Sequence, residues 1–184
     1  VLFCYMEIIR YDEEYRDDMI FMLLLSKDAI GRKPHINDDL LDIKREYLQN
    51  GDFMLATEDG RVIACGGYKI KSASEAVLHR LYVKPGFKRK GIGSSVLKAL
   101  EDSAKSKGIS TIYVHTGKPR EVFFESYAFY EKHGYKAYID GVCDSLKKEI
   151  TPKKTDTVQI SNGFPKKLKL TVTESRCRCA YHKK

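Results

Sequence analysis

The sequence predicts a mixed α/β protein: one mostly antiparallel sheet flanked by helices. Three observations carry this. Two strand-like runs, 53–58 and 61–70, are joined by Asp59-Gly60, the dipeptide that a two-residue hairpin turn prefers. A third run, 76–83, leads through a basic, glycine-containing loop into a strongly amphipathic helix. That helix is followed by a short buried-looking strand, Thr111–His115, so the sheet is built part by hairpin and part by crossover.

From the N-terminus, Met6–Arg10 alternates as a first strand, with Met6 reading as a start and residues 1–5 as an upstream extension. Residues 12–29 have helix-compatible composition and stop at Gly31. Asn37 suits an N-cap for a helix over Asp38–Gln49, with Leu40, Ile43 and Tyr47 on one face. After the hairpin, the 76–83 strand ends at Lys84-Pro85-Gly86. The next helix runs from Gly91 to about Lys107, with Ile92, Val96, Leu97, Leu100 and Ala104 on one side. Glu121–His133 is an aromatic-rich helix stopped by Gly134, and Tyr135–Ile139 starts a further strand. The expected domain covers 6–150. Residues 151–184 form a basic extension, in which 157–160 and 168–172 either make a terminal hairpin or stay loose.

Of the 184 residues, 42% are hydrophobic and 32% charged, which admits a packed core. The formal charge of +8 points at first to a polyanionic partner. Nine of the basic residues but only two of the acidic ones lie in 151–184, however, so the body is close to neutral. A nucleic-acid footprint over the domain is excluded on that count, and no specific nucleic-acid partner is expected. No apolar run approaches the roughly 18 residues that span a bilayer, and the longest is Met19–Leu25. No basic-then-apolar leader opens the chain, and five irregularly spaced cysteines make no disulfide framework, so a cytoplasmic location is expected. Cys177, Cys179 and His182 lack a fourth ligand at suitable spacing, and no metal site is expected.

The most informative stretch lies between Leu78 and Ser95. Gly91 and Gly93 open the amphipathic helix, and Lys88, Arg89 and Lys90 precede them. Glycine lets backbone amides approach a ligand, and a helix N-terminus offers unpaired donors and the positive end of its dipole. The turn suits an anion, above all a pyrophosphate. It is not the dinucleotide fingerprint, because Val96 stands where a third glycine is needed, and it lacks the lysine of a Walker A loop.

Lys88-Arg89-Lys90-Gly91-Ile92-Gly93 resembles the coenzyme A signature of the GNAT superfamily of N-acetyltransferases, Arg/Gln-x-x-Gly-x-Gly/Ala. Leu81-Tyr82-Val83-Lys84-Pro85 looks like the strand before that loop, and Phe129-Tyr130-Glu131-Lys132-His133-Gly134-Tyr135 resembles the second signature of the family. The resemblance covers about residues 6–150 and implies the GNAT-like acyl-CoA N-acyltransferase fold. It also implies acetyl-CoA as donor and a primary amine, on a small molecule or a protein, as acceptor.

In such a protein the backbone of Leu81, Tyr82 and Val83 would line the pantetheine arm. The amides of Lys88, Arg89, Lys90, Gly91, Ile92, Gly93 and Ser94 would take the pyrophosphate. Tyr130 matches the family tyrosine that protonates the departing thiolate, although the same residue also suits a packed aromatic core. By period-two alternation, Val77, His79, Leu81 and Val83 share one face, so His79 is the candidate general base, with a packed strand histidine as the plain alternative. Arg80, on the other face, suits a carboxylate partner. Phe123 stands where many members carry an asparagine that contacts pantetheine, so that contact is not carried over. The competing function is a non-catalytic acyl-CoA-binding module whose basic tail tethers it to an acidic partner.

Overall fold

The computed structural model describes residues 6–139 and 144–152. One sheet holds β1 (Met6–Arg10), β2 (Gly51–Glu58), β3 (Arg61–Ile70), β4 (Glu75–Val83), β5 (Thr111–His115), β6 (Lys136–Ile139) and β7 (Asp144–Glu149). Their spatial order is β1-β2-β3-β4-β5-β7-β6, and every neighbouring pair is antiparallel except β4 and β5. Asp59 and Gly60 both have positive φ, 51° and 74°, which is the mirror-image turn whose twist matches the strands it joins. The parallel pair needs a crossover, and α2 (Ile92–Ser106) supplies it.

Each face of the sheet buries its own cluster. On one, α1 (Arg16–Asp28) and the segment after it place Met19, Met22, Leu23, Leu40, Ile43 and Tyr47 against Phe53, Leu55 and Cys65. On the other, α2 lays Val96, Leu97, Leu100 and Ala104 on Ala64, Tyr68, Ala76, Leu78 and Ile112, joined by Tyr127 and Tyr130 of α3 (Phe124–Lys132). Burial of both faces explains why β2 and β3 read as nearly continuous apolar runs.

Three expectations change. The helix over Asp38–Gln49 is instead a tight turn at Asp38–Leu40 and a wide turn at Lys44–Leu48. Asn37 does not cap it, because its side-chain oxygen accepts a hydrogen bond from the buried Lys27. Asp42 caps Arg45 anew at 3.0 Å, which restarts the helical path. Residues 121–123 are not helical, so α3 begins at Phe124. Finally, β7 inserts between β5 and β6, where the sequence offered no strand. Leu146 is fully buried there, and Lys148 pairs with Glu101 of α2 at 2.9 Å.

The runs 157–160 and 168–172 lie outside the described residues. Among the described residues no helix is long and apolar enough to cross a membrane.

Candidate active site

The site begins where the sheet splits. β4 pairs with β5 only from Glu75 to Leu78, opposite Thr111 to Val114. Beyond that point β5 follows β7, with His115 opposite Ser145, while β4 stays with β3 as far as Val83. A cleft opens between the parting strands, and among the described residues the edge of 79–83 that faces it has no strand partner.

A bulge sits at the mouth of this cleft. Gly67 faces His79 and Cys65 faces Tyr82, so Gly66 alone opposes both Arg80 and Leu81. Arg80 takes φ 56°, the left-handed region that a side chain rarely adopts. The approach is close enough to need glycine opposite, since a Cβ on Gly66 would lie 3.0 Å from Leu81 Cδ1 and 3.1 Å from Leu100 Cδ1.

The extra residue shifts the alternation, which corrects the expected shared face. Leu81 and Val83 pack toward α2, but His79 and Arg80 both turn to the α1 side, with Tyr82. The His79 ring meets Tyr47 edge-on at 6.3 Å between centroids. Arg80 does find a carboxylate: its Nε and Nη2 donate to Asp39 at 2.9 and 2.7 Å.

His79 lines a cavity of about 470 Å³ with Asn37, Asp38, Asp39, Arg45, Glu46, Lys69 and Arg80. Burial, reinforced by the Arg80 charge, pushes its pKa down to about 4, so the imidazole is neutral at physiological pH. A neutral ring beside a polar cavity accepts a hydrogen bond and is a weak proton acceptor.

The basic turn follows the same end of β4, beyond the bulge. Arg89 and Gly91 both have positive φ, 66° and 81°, and Gly91 precedes the first residue of α2. Among the described residues, no amide from Lys88 to Ser94 donates to a protein acceptor, whereas Phe87 N bonds Lys84 O and Ser95 N bonds Gly91 O. Consecutive unpaired amides in alternating backbone conformations form a concave anion site. The two glycines differ in purpose. A Cβ on Gly91 would meet nothing within 4 Å, so what calls for glycine there is its positive φ. On Gly93 it would lie 3.3 Å from Val83 and 3.5 Å from Phe129, so that glycine serves helix-to-strand packing. Of the three basic side chains, Lys88 pairs with Glu125 at 3.3 Å and Lys90 stands over the Phe87 ring.

Tyr130 belongs to the α2-side cluster, its ring edge-on to Phe129 and Tyr135. Burial raises its pKa, which keeps the phenol protonated. Its hydroxyl has no hydrogen-bond partner among the described residues, unlike that of Tyr135, which reaches Glu101. Near the start of α3 and the end of β5, the hydroxyls of Tyr127 and Thr116 are buried with no partner among the described residues. Buried polar groups of this kind ask for an occupant that can hydrogen-bond, and an amide-rich arm such as pantetheine fits them. Phe123 lends none of that polarity: its ring lies over Gly117 and under the Arg32 guanidinium.

Sequence reading missed Asp39, whose contact to Arg80 spans 41 residues and has no local signature, and Tyr47, whose hydroxyl donates to Asp39. It also passed over His133, which occupies the variable place of the second motif. That ring joins Phe129 O at 2.7 Å to Ser94 Oγ at 2.9 Å, tying α3 to the first turn of α2. Among the described residues no group of three or more His, Cys, Asp or Glu is placed to hold a metal ion.

Residues 12–135 match the model of the acetyltransferase (GNAT) family. A probable N-acetyltransferase 14 of Danio rerio is 25% identical over 127 residues, covering 67% of this chain and 43% of its own. The chain thus spans less than half the length of that relative. Among solved structures, a GNAT-family acetyltransferase of Staphylococcus aureus superposes with a TM-score of 0.71 at 22% identity, covering 78% of this chain and 98% of its own. The PaiA N-acetyltransferase of Thermoplasma acidophilum, in complex with coenzyme A, gives 0.65 at 23%, with 79% and 99% covered. At these identities the structural likeness speaks for the fold.

Proposed function

The chain belongs to the acetyltransferase (GNAT) family, and we propose that it transfers an acetyl group from acetyl-CoA to a primary amine by direct attack in a ternary complex. The observation that carries the reading is the run of unpaired amides from Lys88 to Ser94, at the end of the one strand that parts from its neighbour. An extended pantetheine arm would lie along residues 81–83, with its pyrophosphate on those amides and its thioester toward the bulge.

The two sides of the cleft divide the chemistry. The amine comes from the α1 side, through the cavity beside His79, and its nitrogen forms the new bond to the acetyl carbon. As the carbon–sulfur bond breaks, the thiolate leaves toward the α2 side and takes a proton from the Tyr130 hydroxyl. The amine's proton passes to His79 or, through it, to water in the cavity. Because His79 holds a proton weakly, it serves after attack, when the nitrogen has become acidic, rather than by deprotonating a free ammonium. A covalent acetyl-enzyme is not part of this reading: Cys65 is fully buried and its thiol is pushed up to about 12.

Release of free thiol from acetyl-CoA with a panel of primary amines tests the proposal. Amine-dependent release supports it. Tight cofactor binding without turnover on any amine overturns it in favour of a non-catalytic acyl-CoA-binding module.

A further inference from the structure

We propose that Arg80 is a positioning residue: its ion pair with Asp39 clamps the β4 bulge in the form that offers the backbone of residues 80–82 to the acyl group. The inference rests on the acetyl-transfer reading for its purpose, but the clamp itself is a property of the apo protein.

Left-handed backbone at a residue other than glycine is strained and persists where the surroundings over-determine it. Those surroundings are visible. The guanidinium grips Asp39 through two nitrogens, in a planar fork that lysine cannot copy. Asp39 also accepts a hydrogen bond from the hydroxyl of Tyr47, a fully buried side chain. The pair itself is partly shielded, its side chains being 26% and 15% exposed. Burial works against the Asp39 carboxylate, yet the hydrogen bonds from Arg80 and Tyr47 hold its pKa below the usual range, so the pair stays charged. The Arg80 carbonyl is held as well, facing the Cys65 sulfur at 3.4 Å.

The position of the clamp gives it a purpose. It lies two residues past Leu78, the last β4 residue paired with β5, where strand pairing no longer holds β4 on the cleft side. It also binds the Asp38–Leu40 turn, a wall of the amine-side cavity, to the strand that would carry the thioester. The clamp makes acceptor wall and acyl-binding strand one rigid unit.

The test uses Arg80→Gly, because glycine accepts the backbone conformation while losing the clamp. Asp39→Asn and Arg80→Lys are the companions. Amide hydrogen exchange is read on the full chain without ligand, alongside its melting curve. The expected result is at least tenfold faster exchange in the peptide covering 79–83 of Arg80→Gly, with β2 and α2 unchanged, and a smaller effect in Arg80→Lys. With acetyl-CoA and an accepted amine, kcat falls at least tenfold while the KM for acetyl-CoA moves less than threefold. Unchanged exchange at 79–83 overturns the clamp whatever the activity. If Arg80→Gly lowers the melting temperature and raises exchange across the whole sheet, the pair is structural and the proposal also fails; Asp39→Asn, which keeps size and one acceptor, repeats that check. Absence of wild-type turnover strikes the acetyl-transfer reading and leaves the exchange result to judge the clamp.

Discussion

His79 and Tyr130 stand on opposite faces of the sheet, the first against Tyr47 on the α1 side, the second against Phe129 and Tyr135 on the α2 side. β4 and β5 part beyond Leu78, on the stretch of β4 that carries His79. In the proposed acyl transfer the amine nitrogen joins the acyl carbon as the thiolate leaves it, so a proton acceptor for the one and a proton donor for the other on opposite faces would suit the reaction. Each makes a separate prediction.

Tyr130→Phe should keep the fold and the cofactor and lose turnover. Its hydroxyl has no protein partner among the described residues, while its ring carries the packing, so removing the oxygen costs little stability. Loss of general-acid catalysis is worth about 10²-fold or more in kcat. Single-turnover thiol release and a cofactor titration on the same preparation measure both quantities. Turnover within twofold of the wild type would return Tyr130 to the core.

His79→Gln should lower kcat by at least tenfold and also change the acid stability. The folded pKa lies near 4 and the unfolded value is 6.5, so between these pH values the unfolded chain binds more protons. The stability associated with neutral His79 is therefore complete above about pH 6.5 and is lost as pH falls toward 4. Melting temperatures from pH 7 to pH 4 should decline less steeply in the variant. Parallel declines would mean that the ring is not held neutral by its site.

The two glycines of the basic turn should fail in different ways. Gly91→Ala strains a left-handed residue, costs about 1 kcal/mol and narrows an open anion site, so coenzyme A affinity should fall. Gly93→Val pushes against Val83 and Phe129, an overpacking that costs about 1–3 kcal/mol, and should show first as a lower melting temperature. Calorimetric titration and thermal melts of both variants check this division. A Gly93 variant that melts normally but binds no cofactor would restore a direct phosphate role for that glycine.

How far the sequence was readable follows from how local each cause is. The Asp59-Gly60 turn, the α2 stripe and the unpaired amides of the glycine turn depend on neighbours a few residues apart, and all stood out. The bulge did not. Nothing around Arg80 marks a positive φ, and alternation carried straight through it reverses the placement of Leu81 relative to His79. Its causes, Gly66 and Asp39, lie 14 and 41 residues away in the chain. The expected 38–49 helix broke for a similar reason, since Asn37 and Asp39 bond to Lys27 and Arg80 in place of their own backbone. β7 was hidden because Asp144, Lys147, Lys148 and Glu149 make it read as a polar loop; Lys148 is accommodated only because Glu101 waits on α2.

That last contact supports its own prediction. Glu101 is buried and receives Lys148 through both oxygens as well as the Tyr135 hydroxyl. Glu101→Leu should destabilise by about 2–3 kcal/mol, because it strands a partly buried ammonium and a buried hydroxyl. Adding Lys148→Met should recover much of the loss, since the pair is then replaced by apolar contact. Denaturant unfolding of the single and double variants gives the coupling; equal losses in both would show that the pair does not act as a unit.

Deleting residues 153–184 should leave coenzyme A affinity nearly unchanged at physiological salt. That segment holds nine basic residues against two acidic ones, yet the donors of the proposed anion site are the amides of Lys88 to Ser94. Backbone donors act at contact, whereas tail charges act over distance and are screened beyond about 8 Å at 0.15 M salt. The two contributions separate with ionic strength. At about 0.01 M salt, where screening extends to some 30 Å, the full chain should bind the cofactor faster and more tightly than residues 1–152. By 0.15 M the difference should fall below threefold. Association rates and affinities of both chains across that salt range decide it. A tenfold loss that persists at 0.15 M would mean that the C-terminal segment contributes to the cofactor site directly, and the anion site would then extend beyond the α2 turn.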